Sequence, residues 1–368
     1  MDVKERKTKG ILTVIIIGLM FYGYSILCFV KPADKVSENE RRPLAQRPDI
    51  SQEAIVTGEY MKDFEEYAVD QAPGRQLLRG TKVFYQTVVM RKLDNDGMYL
   101  SNGYISKLDY PLDDKSIEYA TDKFRYIYDN YLLDTDVDIY LSVIPDKNYY
   151  NEKILYPSYD YNELVVKMCE SMEYARYIDI MGKLAMEDYY QTDTHLRQER
   201  IVAATEHLGQ EMGASIDEDF EEILVTEDFK GVYYRQLGMP MNGEEMYYLT
   251  NPVLENCKVY DHENNRPITM YNLQALDSAD PYEMYLHGSL SLVTIENPRA
   301  TTDKELVIFR DSFGSSFAPI LATGYAKVTL VDIRYLPANM LGNFIEFDNQ
   351  DVLILYSTSV LNNSETLK

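Results

Sequence analysis

The sequence predicts an α/β fold, a parallel central sheet flanked by helices and preceded by one N-terminal transmembrane helix. Three observations predict it. The C-terminal third alternates strands and helices: residues 306–309 and 327–333 and 351–356 are short apolar runs, separated by helical patterns beginning at Phe317 and spanning 336–346. Such alternation calls for right-handed crossovers and hence parallel neighbours. A long amphipathic stretch, 113–133, leads into a β-branched run, 136–144, that stops at Pro145. Finally, residues 11–30 are almost entirely apolar.

That last run, ILTVIIIGLMFYGYSILCFV, matches a hydrocarbon core of about 30 Å at about 1.5 Å per residue. Lys4, Arg6, Lys7 and Lys9 precede it, so residues 1–10 are expected in the cytoplasm and everything beyond the span outside. No A-x-A-like site follows, and SILC lacks a small residue before Cys28. An uncleaved anchor is therefore favoured over a cleaved signal. Residues 31–58, rich in charge and proline, read as an extended extracytoplasmic linker.

Residues 59–368 carry no internal repeat and no Gly/Ser-rich or Pro-rich break, which favours one large domain. Tyr60, Phe64 and Tyr67 open a helix, Pro73 and Gly74 interrupt it, and 77–93 reads as a second. Residues 94–105 are turn-rich and suggest a hairpin. On the 113–133 helix, Ile117, Ala120, Phe124, Ile127, Tyr128 and Tyr131 share one side. Helices follow at 161–175 and 201–212, with a short strand around Ile178 and Ile180. Residues 216–275, including 231–234 and 245–250, read as antiparallel strands.

Composition narrows the partners. Lys plus Arg total 36 against 60 acids, a formal charge of −24. Such a surface repels phosphate backbones, so no nucleic acid is expected, and polyanionic glycans are disfavoured outside a local basic patch. Cys169 and Cys257 lack metal spacing and can pair or stay reduced. No HxH, HExxH or DxDxDG pattern, phosphate loop or dinucleotide fingerprint occurs, so neither metal nor cofactor is expected.

The chemistry concentrates in ELVIFRDSFGSSFAPIL, residues 305–321. A strand ends, a small-residue turn follows, and a helix begins. Ser312 therefore stands at the C-terminal end of a parallel strand, beside backbone N–H groups able to hold an oxyanion. The competing reading is that Ser312, Ser315 or Ser316 only caps the helix. A nucleophilic serine needs a base. Of His195, His207, His262 and His287, His195 has Asp193 two residues earlier, and in an extended segment both would point to one side. Asp193 can equally be a turn or N-cap residue.

With these motifs placed, the chain resembles the DHHW family, close to the alginate O-acetylation proteins of the cell envelope. TDTHL, 192–196, looks like the family's Asp-x-His-Trp motif, and RDSF, 310–313, like its nucleophile motif. SENERRPLA (37–45), YAVDQAPGR (67–75), DGMYL (96–100), DPYEMYLHGS (280–289) and VDIRYL (331–336) extend the likeness in order along the chain. The resemblance implies an SGNH-hydrolase-like fold with permuted motifs, Ser312 as nucleophile, His195 as base and Asp193 as the orienting acid. Phe313, Gly288, Arg334 and Asp311 are the candidates for oxyanion and supporting roles, with Arg334 equally readable as a buried partner of Asp332. The chain departs from the pattern at Leu196, where the family has tryptophan, at Arg310, often glycine, and at Ser289, where an asparagine donor is missing.

Three functions follow as expectations. One is an O-acetyltransferase that acetylates a surface polysaccharide or oligosaccharide through acyl-Ser312, supplied by a membrane-embedded O-acyltransferase. Another is a carbohydrate esterase with the same triad. The third is a non-catalytic envelope scaffold. The 33 tyrosines and absence of tryptophan suit tyrosine stacking on sugars.

Overall fold

A computed structural model describes residues 3–37, 39–40, 42–151 and 154–368, without the side chains of residues 3–6. Met1 and Asp2, Glu38 and Arg41 of the expected linker, and the side chains of Lys4 and Arg6 thus lie outside the described residues. The chain divides into two compact units, Met1–Arg91 with Gly238–Pro240, and Lys92–Leu237 with Met241–Lys368.

The first unit holds helix α1 (Val3–Val30), the short pair β1 (Val36–Ser37) and β2 (Arg42–Pro43), and helices α2 (Gln52–Thr57), α3 (Glu59–Asp70) and α4 (Arg75–Phe84). Within α1, Lys7–Val30 is long and apolar enough to cross a membrane. The stretch after it is not the extended tether expected. Arg42 donates to both Asp70 oxygens at 2.8 and 2.6 Å, Ala45 N–H adds a third bond to Asp70 at 2.8 Å, and Glu40 pairs with Arg75. Gln71 binds the Asp34 backbone through both ends of its amide. Glu40 and Arg42, among the charges that suggested a solvated linker, are instead paired with Arg75 and Asp70, and they fold it onto the end of α3.

The second unit begins with the hairpin β3 (Met98–Ser101) and β4 (Tyr104–Lys107), then α5 (Asp114–Ile127), β5 (Asp138–Ile144), α6 (Tyr161–Ser171) and β6 (Arg176–Tyr177). Helix α7 (Val202–Glu211) follows. A second hairpin pairs β7 (Glu221–Phe229) with β8 (Glu244–Thr250), and helix α8 (Val232–Leu237) lies between them in sequence. Strands β9 (Lys258–Asp261), β10 (Arg266–Ile268), β11 (Leu292–Glu296), β12 (Glu305–Arg310), helix α9 (Gly314–Leu321), β13 (Lys327–Val331) and β14 (Asp351–Ser357) complete it.

Eight strands form one sheet in the order β10-β9-β11-β13-β12-β14-β5-β6. From β13 to β6 every pairing is parallel, and β10, β9 and β11 are antiparallel. The sheet is therefore mixed, not wholly parallel as expected. Its physical reason lies in loop length: residues 297–304 between β11 and β12 are too few for a crossover helix, and residues 262–265 close β9 on β10 as a tight turn.

The parallel strands are buried on both faces, which explains their unbroken apolar runs. On β12, Leu306 and Ile308 enter one core while Val307 and Phe309 enter the other; on β14, Leu353 and Leu355 part likewise from Val352 and Ile354. Helices α7 and α9 cover the first face, and α5 and α6 the second. Helix α5 carries Ile117, Ala120, Phe124 and Ile127 inward, all buried, and Asp113 caps it by accepting from Lys115 and Ser116 N–H.

Two other readings change. Residues 231–234 lie in or beside helix α8, because their role is to present backbone N–H groups rather than to extend a ladder. Residues 336–346 form only a 3₁₀ stretch, Ala338–Asn343, after Pro337.

Candidate active site

Strand β12 sits among parallel neighbours, and its C-terminal end delivers the turn Asp311–Ser312–Phe313 to the start of α9. Asp311 is fully buried and fixes that turn. One oxygen accepts Phe313 N–H at 3.0 Å, and the other accepts Ser357 N–H at 2.8 Å from the end of β14. Ser312 is half-buried at the surface of this frame.

The structure brings Ser312, His195 and Asp193 into one hydrogen-bonded line. His195 Nε2 lies 2.8 Å from Ser312 Oγ, and His195 Nδ1 lies 2.6 Å from Asp193 Oδ1. With Nδ1 protonated and donating to the carboxylate, Nε2 is left to accept the serine proton. Asp193 is fully buried. Burial opposes its charge, but the imidazole, the His195 N–H and the Val232 N–H hold its carboxyl well below the usual carboxylate range.

The convergence arises from a turn, not from an extended segment. Asp193 Oδ1 also accepts its own neighbour's backbone N–H, from His195 at 3.0 Å, so one oxygen orients both backbone and ring. Tyr190 N–H to His195 C=O, 3.1 Å, closes the loop. Asp193 is not a helix cap: its second oxygen accepts Val232 N–H at 2.7 Å. The Cβ of any residue replacing Gly231 would sit 2.1 Å from Asp193 Oδ2, so close approach requires glycine there.

Several supporting residues escaped the sequence. Lys147, on the loop after β5, is buried and donates to the Tyr190 and Asp193 carbonyls at 2.9 and 2.6 Å. Burial lowers its pKa to about 7, against the pull of Asp193, Glu244 and Asp146. Glu244 of β8 accepts from Gln191 N–H, Thr192 N–H and the Thr192 hydroxyl, at 2.8, 2.8 and 2.6 Å. Tyr282 stacks flat on the imidazole, with centroids 3.8 Å apart and planes at 4°, and Phe313 packs at 4.8 Å. Where the family pattern has tryptophan, Leu196 points into the core, and the imidazole takes its aromatic contacts from Tyr282 and Phe313. These partners are far apart in sequence. Lys147 and Glu244 drew no attention, whereas Tyr282 lay in the stretch 280–289 and Phe313 was itself a candidate in 310–313.

The remaining candidates fall differently. Phe313 N–H is committed to Asp311, and Gly288 N–H to Tyr285 C=O at 3.0 Å, so neither is open to an oxyanion. Ser312 N–H finds no partner among the described residues and is the backbone donor left for that task. Arg334 binds Asp332 through Nε and Nη2, at 2.9 and 2.6 Å, the alternative its sequence context allowed. Arg310, fully buried, donates to the carbonyls of Asp311, Gly288 and Leu290, each at 3.3 Å, and so ties the 288–290 loop to the serine turn. His262 and His287 bond to Thr294 and Thr269. All three cysteines are unpaired.

No family model and no curated protein matches the chain. Solved structures do. A DHHW family protein from Eubacterium siraeum superposes with a TM-score of 0.57 at 16% identity, over 74% of this chain and 95% of that one. PatB1 of Bacillus cereus superposes with a TM-score of 0.55 at 16% identity, over 73% and 97%. The same protein with a sulfonyl adduct gives 0.54 at 15% identity, over 72% and 97%. The chain is structurally related to the DHHW family, and at these identities the relation is one of fold.

Proposed function

We propose that this protein is a membrane-anchored, extracytoplasmic serine acyltransferase that O-acetylates a cell-surface polysaccharide through an acyl-Ser312 intermediate. The observation that carries the reading is the line from Asp193 through His195 to Ser312, ending beside an unpaired backbone N–H. The relation in fold to the DHHW structure and the apolar helix α1 add support.

In the first half-reaction His195 Nε2 takes the Ser312 proton as Oγ bonds to the donor's carbonyl carbon. The carbonyl oxygen becomes an oxyanion facing Ser312 N–H. As the intermediate collapses, the donor's C–O bond breaks and His195 returns the proton to the departing alkoxide. In the second half-reaction a sugar hydroxyl loses its proton to His195 as its oxygen bonds to the acyl carbon; the Ser312 Oγ–C bond then breaks, and His195 returns the proton to Oγ. Asp193 keeps the ring in the productive tautomer and stabilises the transient imidazolium. Outside the cell such an enzyme needs an acyl supply across the bilayer, which makes a membrane-embedded O-acyltransferase the natural partner.

The test is product analysis. Purified protein is incubated with an acetyl-ester donor and a neutral oligosaccharide, and acetylated sugar and free acetate are measured. Acetylated sugar supports transfer. Acetate alone assigns the same triad to an esterase. No product from any donor, with Ser312→Ala indistinguishable from wild type, rejects the enzyme and leaves a scaffold.

A further inference from the structure

Helix α4 continues into a π-helical stretch, Tyr85–Val89, and the two together carry an apolar stripe that no described residue covers. Leu77, Leu78, Phe84, Tyr85, Val88 and Val89 recur at the spacing of one helix face. They are 49–76% exposed. The opposite face is the one that packs: Val83 is buried, and a Cβ on Gly80 would lie 2.8 Å from the Gly238 carbonyl. This helix therefore has an inner side already satisfied and an outer side of large apolar residues. A contiguous patch of this kind on a water-facing surface marks an interaction site.

Its place in the first unit identifies the partner. The Tyr24 hydroxyl of α1 donates to the Pro73 carbonyl at 3.3 Å. Tyr24 lies six residues before Val30 along α1, about 9 Å from that end at 1.5 Å per residue. Pro73 and Gly74, immediately ahead of α4, are thereby held level with the outer end of the apolar run. A helix that starts at that depth meets headgroups and acyl chains, not bulk water. Its composition agrees: Arg75 and Arg79 lie on the side away from the stripe, and Lys82 flanks it. Arg75 and Arg79 also pair with Glu40, which anchors that polar side within the unit. Tyr85, with Tyr22 and Tyr24, supplies the ring type favoured at membrane interfaces.

We propose that residues 75–90 form a second membrane contact, an interfacial helix whose Leu77–Val89 stripe lies in the outer leaflet of the bilayer crossed by α1. The proposal rests on α1 as the membrane anchor. It makes the first unit a two-point mount, one helix across the membrane and one along it.

The chain has no tryptophan, so a single introduced one reports its own surroundings. The full chain is reconstituted into phosphatidylcholine–phosphatidylglycerol vesicles, with and without brominated acyl chains, as Leu77→Trp, as Val88→Trp, and as Leu19→Trp in the anchor. Bromine quenches tryptophan only within the bilayer. The proposal expects strong quenching in all three, with Leu77→Trp and Val88→Trp most sensitive to bromine near the headgroup end of the chains. Quenching of Leu19→Trp alone overturns the proposal and leaves the anchor standing. No quenching at Leu19→Trp overturns the anchor and the interfacial helix together.

Discussion

At the residue scale, each member of the hydrogen-bonded line is held by another. Asp193 orients His195, and Val232, Gly231, Lys147 and Glu244 orient the segment that carries both. Replacing Ser312 or His195 by alanine is expected to lower kcat by about 10⁴-fold or more, and Asp193→Asn by about 10³–10⁴-fold, with the fold retained by circular dichroism. Gly231→Ala places a methyl group against Asp193 Oδ2; kcat is expected to fall more than tenfold while KM holds, read by steady-state kinetics. The carboxyl of Asp193 also sets a pH dependence. Its folded pKa is depressed, so the stability it contributes is present above the unfolded value and lost as pH falls towards the folded one. The gap in unfolding free energy between wild type and Asp193→Asn is therefore expected to be widest near neutrality and to narrow below about pH 4, measured by urea titration. The sequence exposed Ser312, His195 and Asp193 because each sits in a short motif. It hid Lys147, Glu244 and Gly231 because a lysine before an asparagine or a glycine before a valine has no local mark of a long-range contact.

At the scale of elements, legibility followed periodicity. Helix α5 was readable because its apolar spacing repeats at 3.6 over several turns, and strands β5, β12 and β14 because each is a short, unbroken apolar run. Phe124 on α5 shows what that stripe contributes: it is 1% exposed and packs on Tyr356 with centroids 5.3 Å apart. Phe124→Ala is expected to cost about 3–5 kcal/mol in denaturant unfolding without changing KM. The segment 231–234 was misread because its N–H groups serve Asp193, from Val232, and Thr192, from Gly231 and Tyr234, and the six-residue helix it enters shows too little period to declare itself. Lys147→Met removes the donor to two buried carbonyls; an expected loss of about 1–3 kcal/mol in stability would accompany a lower kcat.

For the whole molecule, the alternation of strands and helices announced the parallel part of the sheet; β9 and β10 fall within 216–275, read as antiparallel strands, but nothing in the sequence showed that they and β11 extend that same sheet. The net charge spoke to partners, and the apolar run at 11–30 to attachment. Neither could reveal that the charges after the anchor would pair with one another, since that depends on Arg42 and Asp70 meeting across 28 residues. The central claim is that Ser312 becomes acylated. The most direct measurement is mass spectrometry of peptides from protein quenched within seconds of mixing with an acetyl-ester donor. The account predicts one acetyl group on Ser312 in the wild-type chain, and none in His195→Ala under the same conditions. An enzyme that turns over the donor while Ser312 stays unmodified, or that labels equally without His195, would contradict it.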